Sequence, residues 1–354
     1  MKRAQDRIKR TLAARTAARI AGLIAAVAVA GVALAAPRLP ATAAIVAAPS
    51  DQKAYVALPD ENEVAVVATR THRVLGYIPG ILGPHDLVAS ADGRRVFVGN
   101  SSVPVVSVID TSTDTIVASI RVGFDQRGLA LSPGGRDLLV SLGSVIQEVV
   151  RIDTATLQIR GRLAVSEPGR LAVSPDGRLA YVISAPPDAA ALVVIDLATL
   201  TRTAAIRLDS PPATLNFAPD GTRLYLTMAD TRTILTLDPA RKKIVGRITV
   251  RPGSRHSVPA EDGRSFLVVT STAGAGTLDV VDAQRGIVSA TVTVGTAPAW
   301  VAADHHTHTA YVTNEHSGDV SFVDLDTRTV AATIAVGHGA GEIVLAPAAA
   351  PARR

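Results

Sequence analysis

The sequence predicts an all-β fold, a β-propeller of seven four-stranded antiparallel blades preceded by an N-terminal hydrophobic helix. Three features carry this. The anchors Tyr55, Phe97, Leu139, Tyr181, Tyr225, Leu267 and Tyr311 recur at separations of 42, 42, 42, 44, 42 and 44 residues. Each repeat holds four short apolar runs, and Asp-, Pro- and Gly-rich turns punctuate them. A period of about 40 to 45 residues with four strands apiece is the signature of sheets arranged around an axis.

Residues 170–209 show one unit. Leu171–Ser174 is a short strand, and Pro175-Asp176-Gly177-Arg178 is a turn in which Gly177 can take the positive φ such turns need. Leu179–Ile183 is the second strand. The Pro-containing stretch Ala185–Ala190 is a loop, Leu192–Ile195 the third strand, and Thr199–Leu208 a fourth that alternates less cleanly. Val, Ile and Thr are dense throughout and no segment shows a period of 3.6, which excludes amphipathic helices from the repeats. Seven such units close a ring that leaves no free hydrophobic edge.

An aspartate ends the third run in six repeats: Asp110, Asp153, Asp196, Asp238, Asp282 and Asp324, with Ala68 in the first. Carboxylates so spaced could suggest catalysis. The simpler expectation is structural, because Asp accepts hydrogen bonds from backbone N–H groups two residues on and sets a turn. Copies of the innermost strand occur at both ends, at Ile45–Pro49 and Ile343–Pro347. The C-terminal copy is expected to complete the first blade, because it follows a full repeat connection at Val336-Gly337.

The chain before the repeats is different. Seven of the 36 basic residues lie in the first 35 positions against one acid, Asp6, which leaves 29 basic and 30 acidic residues and a net charge of −1 for the remainder. The overall +5 therefore belongs to the leader and gives no reason to expect nucleic-acid binding by the body. The uncharged run Ile20–Ala36 follows the basic stretch. Residues 1–36 read as a signal peptide, with Ala33-Leu34-Ala35 as the cleavage pattern, or as an uncleaved membrane anchor. Residues 37–50 read as an Ala/Pro-rich tether, 51–348 as the propeller and 349–354 as a tail. The positive flank stays cytoplasmic, so the repeats are expected outside the cytoplasm, in the periplasm, at the cell surface or secreted. The chain has no cysteine, so no disulfide, thiolate metal site or c-type haem attachment exists.

Tyr311-Val312-Thr313-Asn314 is the signature tetrapeptide of the YVTN β-propeller family. Val106-Ser107-Val108-Ile109-Asp110-Thr111, Leu171-Ala172-Val173-Ser174-Pro175-Asp176-Gly177 and Ala332-Thr333-Ile334-Ala335-Val336-Gly337 agree with it. The chain resembles this family over roughly residues 54–347, although Leu139-Val140-Ser141-Leu142 and Tyr225-Leu226-Thr227-Met228 depart from the tetrapeptide. The resemblance implies an exported or surface repeat protein.

In a propeller the residues just before each innermost strand converge on the axis. Here these are His85 and Asp86, Arg127, Arg170, Thr214, Arg255 and His256, Trp300, and Glu342. Together they predict a mixed, net-positive funnel, and Arg forks suit carboxylate or phosphate oxygens. A solvated rim is the plainer alternative. The cluster Asp304-His305-His306-Thr307-His308 replaces an exposed turn and is expected to be solvated rather than a metal site. His72 and His316 are expected to be inert or remote from it.

No H-E-x-x-H, G-x-S-x-G, P-loop or dinucleotide fingerprint occurs. The favoured expectation is a monomeric, non-catalytic binding scaffold without a cofactor, taking a small anionic ligand, a peptide or an envelope protein at the channel mouth. The membrane is a partner if the leader stays attached. Two alternatives remain, a lactonase-type hydrolase and an accessory subunit of a periplasmic dehydrogenase.

Overall fold

The computed structural model describes residues 52–348 apart from 144, 188, 229, 261–263, 273, 274 and 305. The leader, the tether, the Ile45–Pro49 strand copy and the tail lie outside these residues. The 28 strands form seven four-stranded antiparallel sheets, and no helix occurs among the described residues. Six sheets are continuous in sequence. The seventh joins Lys53–Leu58, Glu63–Ala68 and Arg73–Pro79 to the last strand, Ile343–Ala346, which supplies its innermost position. Tyr55 pairs with Val344 and Val56 with Ile343, so the C-terminal copy closes the ring as expected.

Burial follows position in the blade. Second and third strands are almost wholly buried, as in Leu179–Ser184 and Ala191–Asp196, because neighbouring blades cover both their faces. This is why they read as continuous apolar runs rather than as alternation. Outer strands alternate: in Gln158–Ala164 every second residue is exposed. Each outer strand also carries one extra residue opposite the third strand. Val194 pairs with Ala204 but Ile195 with Arg202, leaving Thr203 as a bulge, which explains the uneven alternation of Thr199–Leu208.

Apolar side chains pack between blades rather than within them. Tyr181, Leu192 and Val194 of the fourth blade meet Leu224, Leu226 and Leu235 of the fifth. Tyr311, Val320 and Phe322 of the seventh meet Val56, Leu58 and Val67 of the first, so the seam is packed like the other joints. Burying one such Leu or Val stabilises by about 1.5–3 kcal/mol.

The recurring aspartates are structural. Asp153 Oδ1 accepts N–H bonds from Ala155 and Thr156 at 3.1 and 2.9 Å, and Asp282 and Asp324 repeat the pattern. The same turn carries a left-handed residue in every blade, among them His72, Asp114, Leu157 and Gly286. Polar clasps then join adjacent blades. Lys53 Nζ donates to the Thr111 carbonyl at 2.7 Å and the Asp114 carboxylate at 2.6 Å, and Arg95 and Arg151 donate to the Thr154 and Leu197 carbonyls at 2.6 Å. Tyr55 Oη donates to Asp114 at 2.5 Å. Burial first, and then the neighbouring Asp114 carboxylate, raise this phenol far above its ordinary value.

Candidate functional site at the channel mouth

One position in or just before each innermost strand faces the axis. It is the residue before the one that pairs with the second strand's central apolar residue: Leu87 with Val98, Leu129 with Val140, Leu171 with Val182, and so on round the ring. The position is filled by Glu342, Asp86, Gly128, Arg170, Thr214, His256 and Trp300 in ring order, and all seven line one cavity of about 470 Å³. A local skip in pairing precedes it in five blades, at Pro84/Asp86, Gln126/Gly128, Pro168/Leu171, Ser254/His256 and Pro298/Trp300. A bulge of this kind re-aims one side chain without breaking the sheet.

The skip separates the residues the sequence grouped together. Asp86, Arg170, Thr214, His256, Trp300 and Glu342 share the cavity. His85, Arg127 and Arg255 do not line it. His85 Nε2 donates to the Gln126 carbonyl. Arg127 is paired at the rim with Asp125 at 2.9 Å and Glu167 at 3.2 Å, and Arg255 with Glu315 at 2.8 Å. Each lies one residue before the axial position, and one residue along a strand turns a side chain to the opposite face.

The third blade's axial residue is therefore Gly128, which reasoning by residue type passed over. The signal was available in the spacing. Positions 86, 128, 170, 214, 256, 300 and 342 repeat the intervals of the anchors. No larger residue fits, since a Cβ on Gly128 would lie 2.9 Å from Arg170 Cα and 3.2 Å from the Gly169 carbonyl.

At the centre of the cavity, Arg170 Nη1 donates to Asp86 Oδ1 at 2.6 Å and to Glu342 Oε2 at 3.3 Å. Asp86 Oδ2 accepts the Leu129 N–H at 2.7 Å. Burial would push Asp86 up, but Arg170, the hydrogen bond from Glu342, the nearby His85 and the Leu129 N–H together hold it below the usual carboxylate range. Glu342 goes the other way. Burial and the charge of Asp86 raise it well above its ordinary value, and Arg170 and the Leu87 N–H restore only part of this. Two carboxyls in contact cannot both ionise cheaply, so the pair shares one proton, carried on Glu342.

His256 is 4 % exposed and lies flat against Trp300, ring centroids 3.7 Å apart. Its Nδ1 accepts the Val301 N–H at 3.4 Å. Burial and then the Arg170 cation hold the imidazole well below its ordinary value, hence neutral. Arg170 also sits 4.3 Å from the Trp300 ring, a cation–π contact. The expected net-positive funnel is thus not what the axis holds. One guanidinium is matched by one carboxylate, and the other titratable groups are neutral. Below this polar layer the next axial residues are apolar, including Val88, Val258, Ala302 and Val344, with Asn216 the polar exception.

The histidine-rich turn is no part of this site. His305 lies outside the described residues. Asp304 accepts the His306 N–H at 2.9 Å, as the turn aspartates do, and His308 Nδ1 lies 3.0 Å from Asp326 at the exposed surface. Among the described residues no group of three or more His, Asp or Glu is placed to hold a metal ion.

No family model matches the chain, and no curated protein matches it in sequence. Several solved structures share its fold. The chain is similar to hydrazine synthase of Kuenenia stuttgartiensis, with 21% identity over 73% of this chain and 88% of that one and a TM-score of 0.66. It is similar to a functionally unknown protein from Desulfotomaculum acetoxidans, with 13% identity, coverage of 83% and 99%, and a TM-score of 0.70. A third is dihydro-heme d1 dehydrogenase NirN in complex with DHE, with 17% identity, coverage of 84% and 66%, and a TM-score of 0.62. At such identities the likeness is one of fold alone.

Proposed function

We propose that the protein is an exported or membrane-tethered propeller of the YVTN type that acts as a non-catalytic binding scaffold, holding a small acid-bearing ligand at the mouth of its central channel. The observation that carries this reading is the 470 Å³ cavity, to which every blade contributes its axial position. Its size falls in the range of about 300–1,000 Å³ typical of small-molecule sites, with a few convergent polar groups over apolar walls.

The carboxyl pair, with its two members shifted in opposite directions, favours the hydrolase alternative, because acid–base enzymes separate paired carboxyls in this way. Its geometry argues for binding. Both Asp86 oxygens already accept bonds, from Arg170 and Leu129, so the ionised member is a poor base. His256 is engaged by the Trp300 ring and the Val301 N–H rather than by a carboxylate.

Native mass spectrometry of protein isolated from its own envelope tests the reading. A retained small molecule is expected in the wild type and lost in Arg170→Ala. Turnover of lactones that disappears in Glu342→Gln would replace the scaffold with an enzyme.

A further inference from the structure

The polar layer of the cavity holds a positive and a negative pole side by side and no net charge. Arg170 supplies the positive pole. The Asp86–Glu342 pair, with one proton between two carboxyls, supplies the negative one, and His256 is neutral. Both poles stay partly open to the channel: the Arg170 side chain is 28 % exposed and that of Glu342 10 %, against 3 % for Asp86. Arg170 spends Nη1 on both carboxyls, and a guanidinium carries further N–H donors. Glu342 Oε2 accepts from Arg170 at 3.3 Å and, like any carboxyl oxygen, has a second lone pair. A donor fork and an acceptor therefore adjoin each other over apolar walls that include Val88, Val258, Ala302 and Val344.

The charge count selects the ligand. A bare carboxylate entering this cavity would leave one negative charge uncompensated among apolar walls, and a bare ammonium would leave one positive charge. A molecule that carries both leaves neither, and each of its poles meets an opposite one. The spacing narrows the class further. In an α-amino acid the nitrogen lies about 2.5 Å from the carboxyl carbon, because one carbon joins them. Arg170 Nη1 and Glu342 Oε2 are 3.3 Å apart, so the two short poles can face the two protein groups at once and complete a quartet of alternating charge. A longer spacer between ammonium and carboxylate would carry one of them past its partner. The side chain on the same carbon is then left to the apolar walls.

We propose that the cavity takes a zwitterionic α-amino acid with an apolar side chain, its carboxylate accepting from the remaining N–H groups of Arg170, its ammonium donating to Glu342 beside Asp86, and its side chain lying against the apolar walls of the channel. The net charge of the cavity is the same before and after binding, so no proton has to enter or leave with the ligand. The inference rests on the binding-scaffold reading above and names the ligand class of that same site.

Calorimetric titration of the full chain at pH 7 tests it with three probes of one shape: L-phenylalanine, phenylpropionate, which lacks the ammonium, and phenethylamine, which lacks the carboxylate. Each is measured in two buffers of different ionisation enthalpy, which counts protons directly. L-phenylalanine is expected to bind with the same heat in both buffers. Each single-pole probe is expected to bind more than about tenfold more weakly, a modest figure for a buried charge left unpaired. The double variant Asp86→Asn, Glu342→Gln keeps the shape of the layer but leaves Arg170 unbalanced, so in it phenylpropionate should overtake L-phenylalanine. Phenylpropionate binding the wild type within about tenfold of L-phenylalanine overturns this proposal and leaves the acid-binding scaffold standing. Uptake or release of about one proton with L-phenylalanine also overturns the proposal alone. Phenethylamine binding within that range, or failure of all three probes, removes both readings. A folded double variant that still prefers L-phenylalanine counts against the charge argument, and the wild-type titrations decide the matter if the variant does not fold.

Discussion

Arg170→Ala is the most informative perturbation, because one guanidinium ties together three blades at the axis. Its removal leaves the Asp86 carboxylate, whose side chain is 3 % exposed, without its 2.6 Å partner. It also leaves Glu342 without the cation that eases its ionisation. Breaking a buried pair from one side costs about 3–5 kcal/mol. Arg170 is itself 28 % exposed, so the low end, about 3 kcal/mol, is the expectation at pH 7. At about 2–3 °C per kcal/mol for a domain of this size, the melting temperature should fall by about 6–9 °C. The pH dependence separates this from simple loss of packing. In the wild type Asp86 is depressed, so its stabilisation is present above the unfolded value of about 3.9 and is lost as pH falls through the lower folded value. Without Arg170, burial dominates and raises Asp86, so the variant carries a penalty that fades as pH falls through the raised value. The gap between the two proteins should therefore narrow from pH 7 toward pH 4. Thermal melts followed by circular dichroism measure it. A gap under about 1 kcal/mol at pH 7, or one that stays constant with pH, would refute the account of the carboxyl pair.

Other outcomes follow from single contacts. Glu342→Gln should be more stable than the wild type at alkaline pH. The protonated carboxyl's contribution is full below about 4.3 and is lost as pH rises through the raised folded value, and an amide has nothing to lose; melts between pH 6 and 10 that stay parallel would contradict this. Gly128→Ala should lose about 1–3 kcal/mol in denaturant unfolding, since the new Cβ meets Arg170 Cα at 2.9 Å and both atoms are fixed by their strands. Asp114→Ala should lose about 3 kcal/mol, because it strands the Lys53 ammonium and the Tyr55 hydroxyl where the first two blades join; an unchanged denaturation midpoint would show the clasp to be idle. A chain ending at Glu342 lacks the strand that pairs with Tyr55 and Val56, and should unfold in a broad, non-cooperative transition rather than a single one.

Much of this molecule was legible from one dimension. The anchor interval of 42 or 44 residues set the blade count, because each blade is a local four-strand unit whose length is set by strands and turns that pair in sequence order. The turn aspartates were legible for the same reason: Asp153 and Asp282 bond N–H groups two or three residues on. Closure of the ring by Ile343–Ala346 followed from the full repeat connection at Val336-Gly337 that leads into it. The site was only half legible. Periodicity brought Asp86, Arg170, His256, Trp300 and Glu342 to one end of the channel. The same spacing marks position 128, but residue type pointed to Arg127, and that Arg127 turns to the rim instead is decided by the pairing skip against the second strand. Nor could composition show that the funnel is neutral. Asp86, Arg170 and Glu342 come from three different blades, and only ring closure brings them within hydrogen-bond distance. Local order wrote the fold into the sequence, whereas the charge state of the cavity arises from contacts between residues up to 256 positions apart and exists only once the ring is shut.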